Sequence, residues 1–246
     1  MDVLYIVMPA YNEEENIEAT VRSWYPVIER HSGNGASRLV VFNDGSKDKT
    51  YETGLRLMEE LPMLEMKNKP NSGHGPTVIQ AYQYAIASGA DYVFQTDSDG
   101  QTSPDEFENF WKNRRKYDGI FGYRRIRGDG KNRAFVEQVV CLLLWIIFGM
   151  KVPDANAPFR LMKADVLKKY IEKLPMDYNL PNIMLVVYYK AYQEKMEFLP
   201  ISFKPRQAGV NSLNYRKIIR IGLHALGDFF RFRKEIRKDN RIIKKK

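Results

Sequence analysis

Short, unbroken apolar runs recur through the first half of the chain: VLYIVMP from Val3, RLVVF from Arg38, YVFQT from Tyr92 and GIFG from Gly119, with a weaker LEMKNK from Leu64. Runs of four to eight apolar residues bounded by turn residues are the pattern of strands buried on both faces. Between them the apolar residues fall three and four apart. This predicts helices over NEEENIEATVRSWYPVIERH, TYETGLRLMEEL, GPTVIQAYQYAIASG and PDEFENFWKNRRKY. Asn12 reads as the N-cap of the first, with acids in its first turn; Gly89 closes the third and Pro104 stands near the start of the fourth. Strands separated by helices predict βαβ units, and hence an α/β fold with a mostly parallel sheet and helices on both faces. There is no internal repeat and no low-complexity segment beyond the terminal KKK.

The second half carries two further apolar patterns. VVCLLLWIIFGM (139–150) is twelve residues long, short of the ~20 that span a bilayer. It follows Arg124, Arg125, Arg127, Lys131 and Arg133, and fits either an interfacial helix with Trp145 in it or a buried core helix. Near the end, Ile218, Ile219, Gly222, Leu223, Leu226, Phe229 and Phe230 recur at helical spacing, flanked by Arg216, Lys217, Arg220, Arg231, Arg233 and Lys234. That basic amphipathic helix can lie on an anionic leaflet, or pack on the sheet or a second subunit with its charged face in water. The sequence predicts no transmembrane segment, so membrane attachment would be peripheral or through a separate protein.

Charge sharpens this division. The net charge is +9, but residues 201–246 hold 14 Lys/Arg against 3 Asp/Glu, while the first 200 hold 25 against 27. The basic character belongs to the tail, suiting anionic lipid or nucleic acid and aiding solubility. Cys141 is the single cysteine, which excludes an internal disulfide and fits a reducing compartment or cytoplasmic face. The N-terminus has an acid at position 2 and no basic n-region, so it reads as a first strand and not a signal peptide. A length of 246 residues allows one large α/β domain or two small ones.

Several polar clusters fall where the predicted strands end: Tyr11-Asn12-Glu13, Asn43-Asp44-Gly45-Ser46, Asp97-Ser98-Asp99 and Gly122-Tyr123-Arg124. In open α/β sheets ligands bind outside the carboxyl ends of the strands, so these clusters point to one site. Asp97 and Asp99, spaced i, i+2 at a strand exit, repel each other unless a divalent cation lies between them. Oxygen ligands suit Mg²⁺ or Mn²⁺. An isolated Asp-x-Asp before a helix reads more readily as an N-cap cluster, so the company it keeps decides.

That company is VMPAYNEEENI, VFNDGSKDKT, NSGHGPTVIQAYQYA and QTDSDGQTSPDEF, followed by GYRRIRGDGKNR, VPDANAPFRLM and LPISFKPRQAGVNSL. In this order they resemble the family 2 glycosyltransferases of GT-A fold (Rossmann-like, nucleotide-diphospho-sugar transferase), in the dolichol-phosphate mannose synthase and polyprenyl-phosphate branch. The resemblance runs over roughly residues 3–213. It implies that Asp97 and Asp99, with Gln101 completing the shell, hold a metal bridging a nucleotide diphosphate. It also implies that Pro9, Tyr11, Glu13 and Asp44 line the nucleoside pocket, and that Asn71 and Gly73 form a small-residue loop, with Gly75, at a helix start. His74 between them is expected to be a loop residue. Arg124 and Arg206 would face the diphosphate, with Arg133 and Ser212 on the acceptor phosphate. Three departures stand out: Asn43-Asp44 replaces the usual acid pair, Pro158 precedes Phe159-Arg160 where glycine is common, and no lysine follows Ser212.

The implied organisation is a GT-A domain over 1–213, with a nucleotide half (1–123) and an acceptor half (124–213) containing an apolar helix over 133–150, then a basic helical tail over 214–246. The implied activity is inverting transfer of a sugar from a UDP- or GDP-linked donor to a polyprenyl phosphate, on the cytoplasmic face of a membrane. Transfer to a hydroxyl needs a general base, and in KLPMDYNLPNIMLVVYYKA the acid is Asp177 alone. A phosphate is already an anion and needs none. Transfer to a glycan hydroxyl with Asp177 as base is the alternative within the fold. A nucleic-acid-binding protein using the tail, with Phe229, Phe230 and Phe232 among its cations, is the alternative outside it.

Overall fold

The computed structural model describes residues 1–127, 131–205 and 215–243. Its strands are β1 (Leu4–Ala10), β2 (Arg38–Asn43), β3 (Leu64–Asn68), β4 (Tyr92–Thr96), β5 (Gly119–Arg127), β6 (Phe159–Lys163) and β7 (Met196–Phe203), joined in one sheet of order β3-β2-β1-β4-β6-β5-β7. Every residue of β1 and of β4 is buried, as their unbroken apolar runs require. The helices are α1 (Ile17–Arg30), α2 (Thr50–Glu60), α3 (His74–Ala87), α4 (Phe107–Asn113), α5 (Lys131–Phe148), α6 (Ala164–Ile171), α7 (Pro181–Ala191) and α8 (Tyr215–Ile243). A 3-10 turn over Pro104–Glu106 leads into α4.

The sheet is parallel except at β6, which runs antiparallel to both neighbours: Thr96 of β4 pairs with Phe159, and Phe121 of β5 with Arg160. This inversion brings the entry of β6, not its exit, to the edge where the parallel strands end. Residues 154–158 therefore lie beside the Asp97–Asp99 loop. β5 pairs parallel with β7, with a register shift between Arg124 and Ile126. Such a bulge re-aims the side chains around it.

Two cores cover the two faces. On one, α1, α2 and α4 pack through Val21, Trp24, Leu57, Phe107 and Phe110 onto Ile6, Val41, Phe94 and Phe159. On the other, α3, α6 and α7 pack through Val78, Tyr82, Leu167 and Met184 onto Val7, Val40, Val93 and Met162. Leu144 and Ile147 of α5, and Ala225, Phe229, Phe232 and Ile236 of α8, join this second core. The Phe232 ring stands edge-on to Tyr178 (5.4 Å), and Phe229 to Phe148 of α5 (5.9 Å). Asp239 holds α8 from outside, accepting from Lys173 Nζ (2.9 Å) and the Tyr192 hydroxyl (2.6 Å). Of the apolar stripe read in the tail, Phe229 is buried in the protein's own core and Phe230 is exposed.

Two local expectations are corrected. Asn12 is not the N-cap of α1: the helix begins at Ile17, after Asn16. Asn12 takes a left-handed conformation (φ 54°) and accepts the Lys47 N–H through Oδ1 (2.9 Å), which ties the β1 and β2 exits together. His74 is the first residue of α3, not part of the loop before it.

If α8 belongs to the core, Phe232→Ala should cost about 3–5 kcal/mol, as large-to-small changes at fully buried aromatic sites do. Urea unfolding checks this. A loss under about 1 kcal/mol would mean that α8 contributes little to the folded body.

Candidate active site

The exits of β1, β2 and β4 are bound to one another before any ligand is considered. Asp44 N–H donates to Ala10 O (2.8 Å), and the Ser98 hydroxyl donates to Pro9 O (2.8 Å). Glu13 is buried, its N–H donating to Thr50 Oγ1 (2.8 Å) and its Oε2 accepting from Asn16 Nδ2 (2.8 Å). Tyr11 stands half-exposed beside it in sequence. Asp44 organises the loop before α3. Its Oδ1 accepts Ser72 N–H (2.8 Å) and the Lys69 ammonium, its Oδ2 accepts Gly73 N–H (2.9 Å), and its carbonyl accepts Asn71 Nδ2 (2.9 Å). Gly73 has φ +96°, a conformation glycine adopts without strain. The four residues expected to line a nucleoside pocket thus lie at one edge with the Asn71–Gly73 loop, but the Asp44 carboxylate is turned to that loop.

At the β4 exit, Asp97 Oδ1 is buried and has no hydrogen-bond partner. Burial, then the neighbouring Asp99 carboxylate, push the Asp97 carboxyl well above the usual range; Glu13 adds to the rise, and Arg124 and Arg160 oppose it. Asp99 Oδ1 accepts the Gln101 N–H (3.2 Å). Gln101 is buried and joined reciprocally to the end of β7: its Nε2 donates to Lys204 O (2.8 Å) and its own carbonyl accepts Lys204 N–H (2.8 Å). Among the described residues no group of three or more His, Cys, Asp or Glu side chains is placed to hold a metal. A partnerless buried oxygen beside a second carboxylate still fits a hard divalent cation, for which one or two carboxylates plus phosphate oxygens suffice.

A second cluster of charged side chains is built on the turn into β6. Asp154 grips Arg124 of β5 with both oxygens, Oδ2 accepting Nε (2.7 Å) and Oδ1 accepting Nη2 (2.9 Å), and it also accepts Asn156 N–H (3.0 Å). Although burial works against its charge, Arg124 holds the Asp154 carboxyl below its ordinary value. Glu137 of α5 reaches the same group: its Oε2 accepts Arg124 Nη2 (3.2 Å) and its Oε1 accepts Ala155 N–H (2.8 Å). Burial, then Asp154, raise the Glu137 carboxyl. Arg160, fully buried, donates to the carbonyls of Ala155, Ala157 and Asn182. The 154–157 turn is therefore fixed from β5, α5, β6 and α7 together. The start of α3 packs against the segment before α7 at Gly75, where a Cβ would lie 2.4 Å from Tyr178 O.

Arg206 and Ser212 lie outside the described residues, and Arg133 falls in the first turn of α5. Asp154, Glu137 and Arg160 had no assigned role in the sequence. Glu137 carried the clearest signal, the single acid of α5, placed two residues before its apolar run VVCLLLWIIF.

The model of Glycosyl transferase family 2 matches residues 5–171. The chain belongs to that family. It is 25% identical over 198 residues, 70% of this chain and 74% of the other, to the UDP-N-acetylglucosamine–dolichyl-phosphate N-acetylglucosaminyltransferase of Methanococcus voltae. It is 26% identical over 175 residues, 68% of this chain and 69% of the other, to the undecaprenyl-phosphate mannosyltransferase of Micrococcus luteus. In fold it matches the glucosyl-3-phosphoglycerate synthase of Mycobacterium tuberculosis, solved with Mn²⁺ and UDP-glucose, at a TM-score of 0.65 and 16% identity, covering 92% of this chain and 79% of that one. The family 2 enzyme described here thus has the GT-A fold that its sequence motifs imply.

In the metal-free chain Asp97→Asn should raise stability by about 1–2 kcal/mol at neutral pH, because burial and Asp99 oppose ionisation of the carboxyl and the amide does not ionise. The sign follows from linkage. A carboxyl raised in the folded state loses stability as pH rises from its unfolded value toward the folded one, so the gain should shrink to nothing below about pH 4. Thermal melts of both chains in EDTA between pH 4 and 8 check it.

Proposed function

We propose that this family 2 glycosyltransferase moves a sugar from a UDP- or GDP-linked donor to a polyprenyl phosphate, with inversion at the anomeric carbon, at the surface of an anionic membrane. The observation that carries the acceptor is the two-sided character of α5. Its inner face sends Glu137 to Arg124 and the 154–157 turn. Its outer face presents Phe135, Val139, Leu142, Trp145 and Ile146, each 38–66% exposed, with Lys151 Nζ 6.0 Å from the Trp145 ring. An exposed apolar row on a helix with Arg125 and Lys151 exposed near its two ends suits a lipid surface. No helix among the described residues is long and apolar enough to cross a membrane. The relatives named for dolichyl-phosphate and undecaprenyl-phosphate transfer support the same reading.

Pro9, Tyr11, Glu13, Asn71 and Gly73 take the nucleoside side of the donor, with Asp44 holding their loop. Asp97 and Asp99, with Gln101 beside them, would hold Mg²⁺ or Mn²⁺. When bound, the cation supplies Lewis-acid neutralisation of the charge that develops on the leaving diphosphate. Arg124, fixed by Asp154 and Glu137, adds a preorganised positive charge on the same side. Arg206 is assigned to the diphosphate, and Arg133 and Ser212 to the acceptor phosphate, on the family motifs. An oxygen of the acceptor phosphate attacks the anomeric carbon opposite the leaving group. The new C–O bond forms as the bond to the diphosphate breaks, which inverts the centre. The attacking group is already anionic, so no side chain has to take a proton.

Asp99→Ala is expected to abolish transfer to polyprenyl phosphate while leaving the thermal midpoint close to wild type; retained transfer in the presence of Mn²⁺ would refute the cation site. The acceptor is tested at Asp177, an exposed residue. Transfer to a lipid phosphate should survive Asp177→Asn with its rate within about threefold, whereas loss of about a hundredfold or more would mark a hydroxyl acceptor with Asp177 as its base.

A further inference from the structure

We propose that Glu137 is a positioning residue for the reaction: it locks the Arg124 guanidinium and the 154–157 turn to the lipid-facing helix α5, so that the helix and the arginine of the site form one rigid unit. This rests on the donor side of the reading above and not on the identity of the acceptor.

A buried acid on a helix with five exposed apolar side chains needs a reason, because removing a carboxylate from water is costly unless its partners compensate. Glu137 has those partners on both oxygens. Oε2 takes one Arg124 Nη2 proton, completing the bidentate hold of Asp154 on Nε and Nη2. Oε1 takes the Ala155 N–H, with the Cys141 thiol donating to the same atom at 3.6 Å. Asp154 holds the guanidinium along its Nε–Nη2 edge, and Glu137 adds a contact to Nη2 from a different element, helix α5. The same carboxylate caps the backbone of the turn that Arg160 holds from below through Ala155 O and Ala157 O. Removal of Glu137 should therefore leave the fold and the donor pocket in place, and reduce the stabilisation that Arg124 gives to charge appearing only in the transition state.

The test uses the full chain with Mn²⁺ and a nucleotide-sugar donor, and reads nucleoside diphosphate released with polyprenyl phosphate or with water as acceptor. Glu137→Gln keeps an acceptor for Ala155 N–H and is expected to lower kcat about tenfold or more, with the KM for donor within about twofold. Combined with Arg124→Lys, it should add no loss beyond that of Arg124→Lys alone, since both act through one contact. Leu144→Ala loosens the same helix through its buried apolar face; it should lower Tm and leave kcat near wild type. Should Glu137→Gln fail to fold, Glu137→Asp keeps the charge but shortens the reach, and the same loss of kcat is expected. Unchanged kcat in the folded Glu137 variant, multiplicative losses in the double variant, or an equal loss in Leu144→Ala would each overturn the proposal. Turnover with water but none with polyprenyl phosphate would overturn the acceptor alone; a wild-type chain that releases no nucleoside diphosphate would overturn the donor reading and this inference together.

Discussion

Everything around the site is arranged about a carboxylate oxygen that has no partner. Asp97 Oδ1 is buried at the end of β4, with Asp99 two residues on and Glu13 near enough to add to the repulsion. Left alone, such a group destabilises the fold, and the sheet tolerates it because the loops around it are over-determined. Ser98 is tied to β1, Gln101 to the end of β7, and Asp44 to the loop before α3. Local strain of this kind persists where neighbouring structure enforces it, and it marks places where a ligand completes the site.

The second constraint is the reversal of β6. Six strands run in one direction and would deliver six exits to one edge. The antiparallel strand supplies its entry turn at that edge, and four elements fix it. Arg160 illustrates the economy of the arrangement. A buried guanidinium bonded to backbone carbonyls holds the turn to the first residues of α7, while its charge opposes that of the acids at Asp97. Arg124 extends the same frame through Asp154 and Glu137 to α5, whose other face is apolar and exposed.

Much of this was legible in the sequence. Unbroken apolar runs at Leu4–Ala10, Arg38–Asn43 and Tyr92–Thr96 gave the central strands, because a strand covered on both faces has no polar side to interrupt the pattern. The acids and small residues at their exits marked the loops that the structure brings together at one edge of the sheet. Features decided by tertiary partners were not legible. Asn12 has the chemistry of an N-cap, yet the long-range bond to Lys47 draws it into a left-handed turn, and α1 starts four residues after the next position. The run FRLMK shows nothing of its antiparallel direction, which depends on pairing with β4 and β5. In α8 the spacing of Phe229 and Phe232 fits a leaflet and a core equally well; contact with Phe148 and Tyr178 decides for the core.

The most direct measurement is thermal stability against a panel of UDP- and GDP-sugars, with Mn²⁺ and with EDTA. At 100 times its Kd a ligand that binds only the folded state adds about 2.7 kcal/mol, a shift easily resolved for a chain of this size. Stabilisation by one nucleotide class that vanishes in EDTA is the expected result, and it would name the donor base. Stabilisation that persists undiminished in EDTA would contradict a cation held by Asp97 and Asp99, and no stabilisation by any nucleotide would contradict the donor site itself.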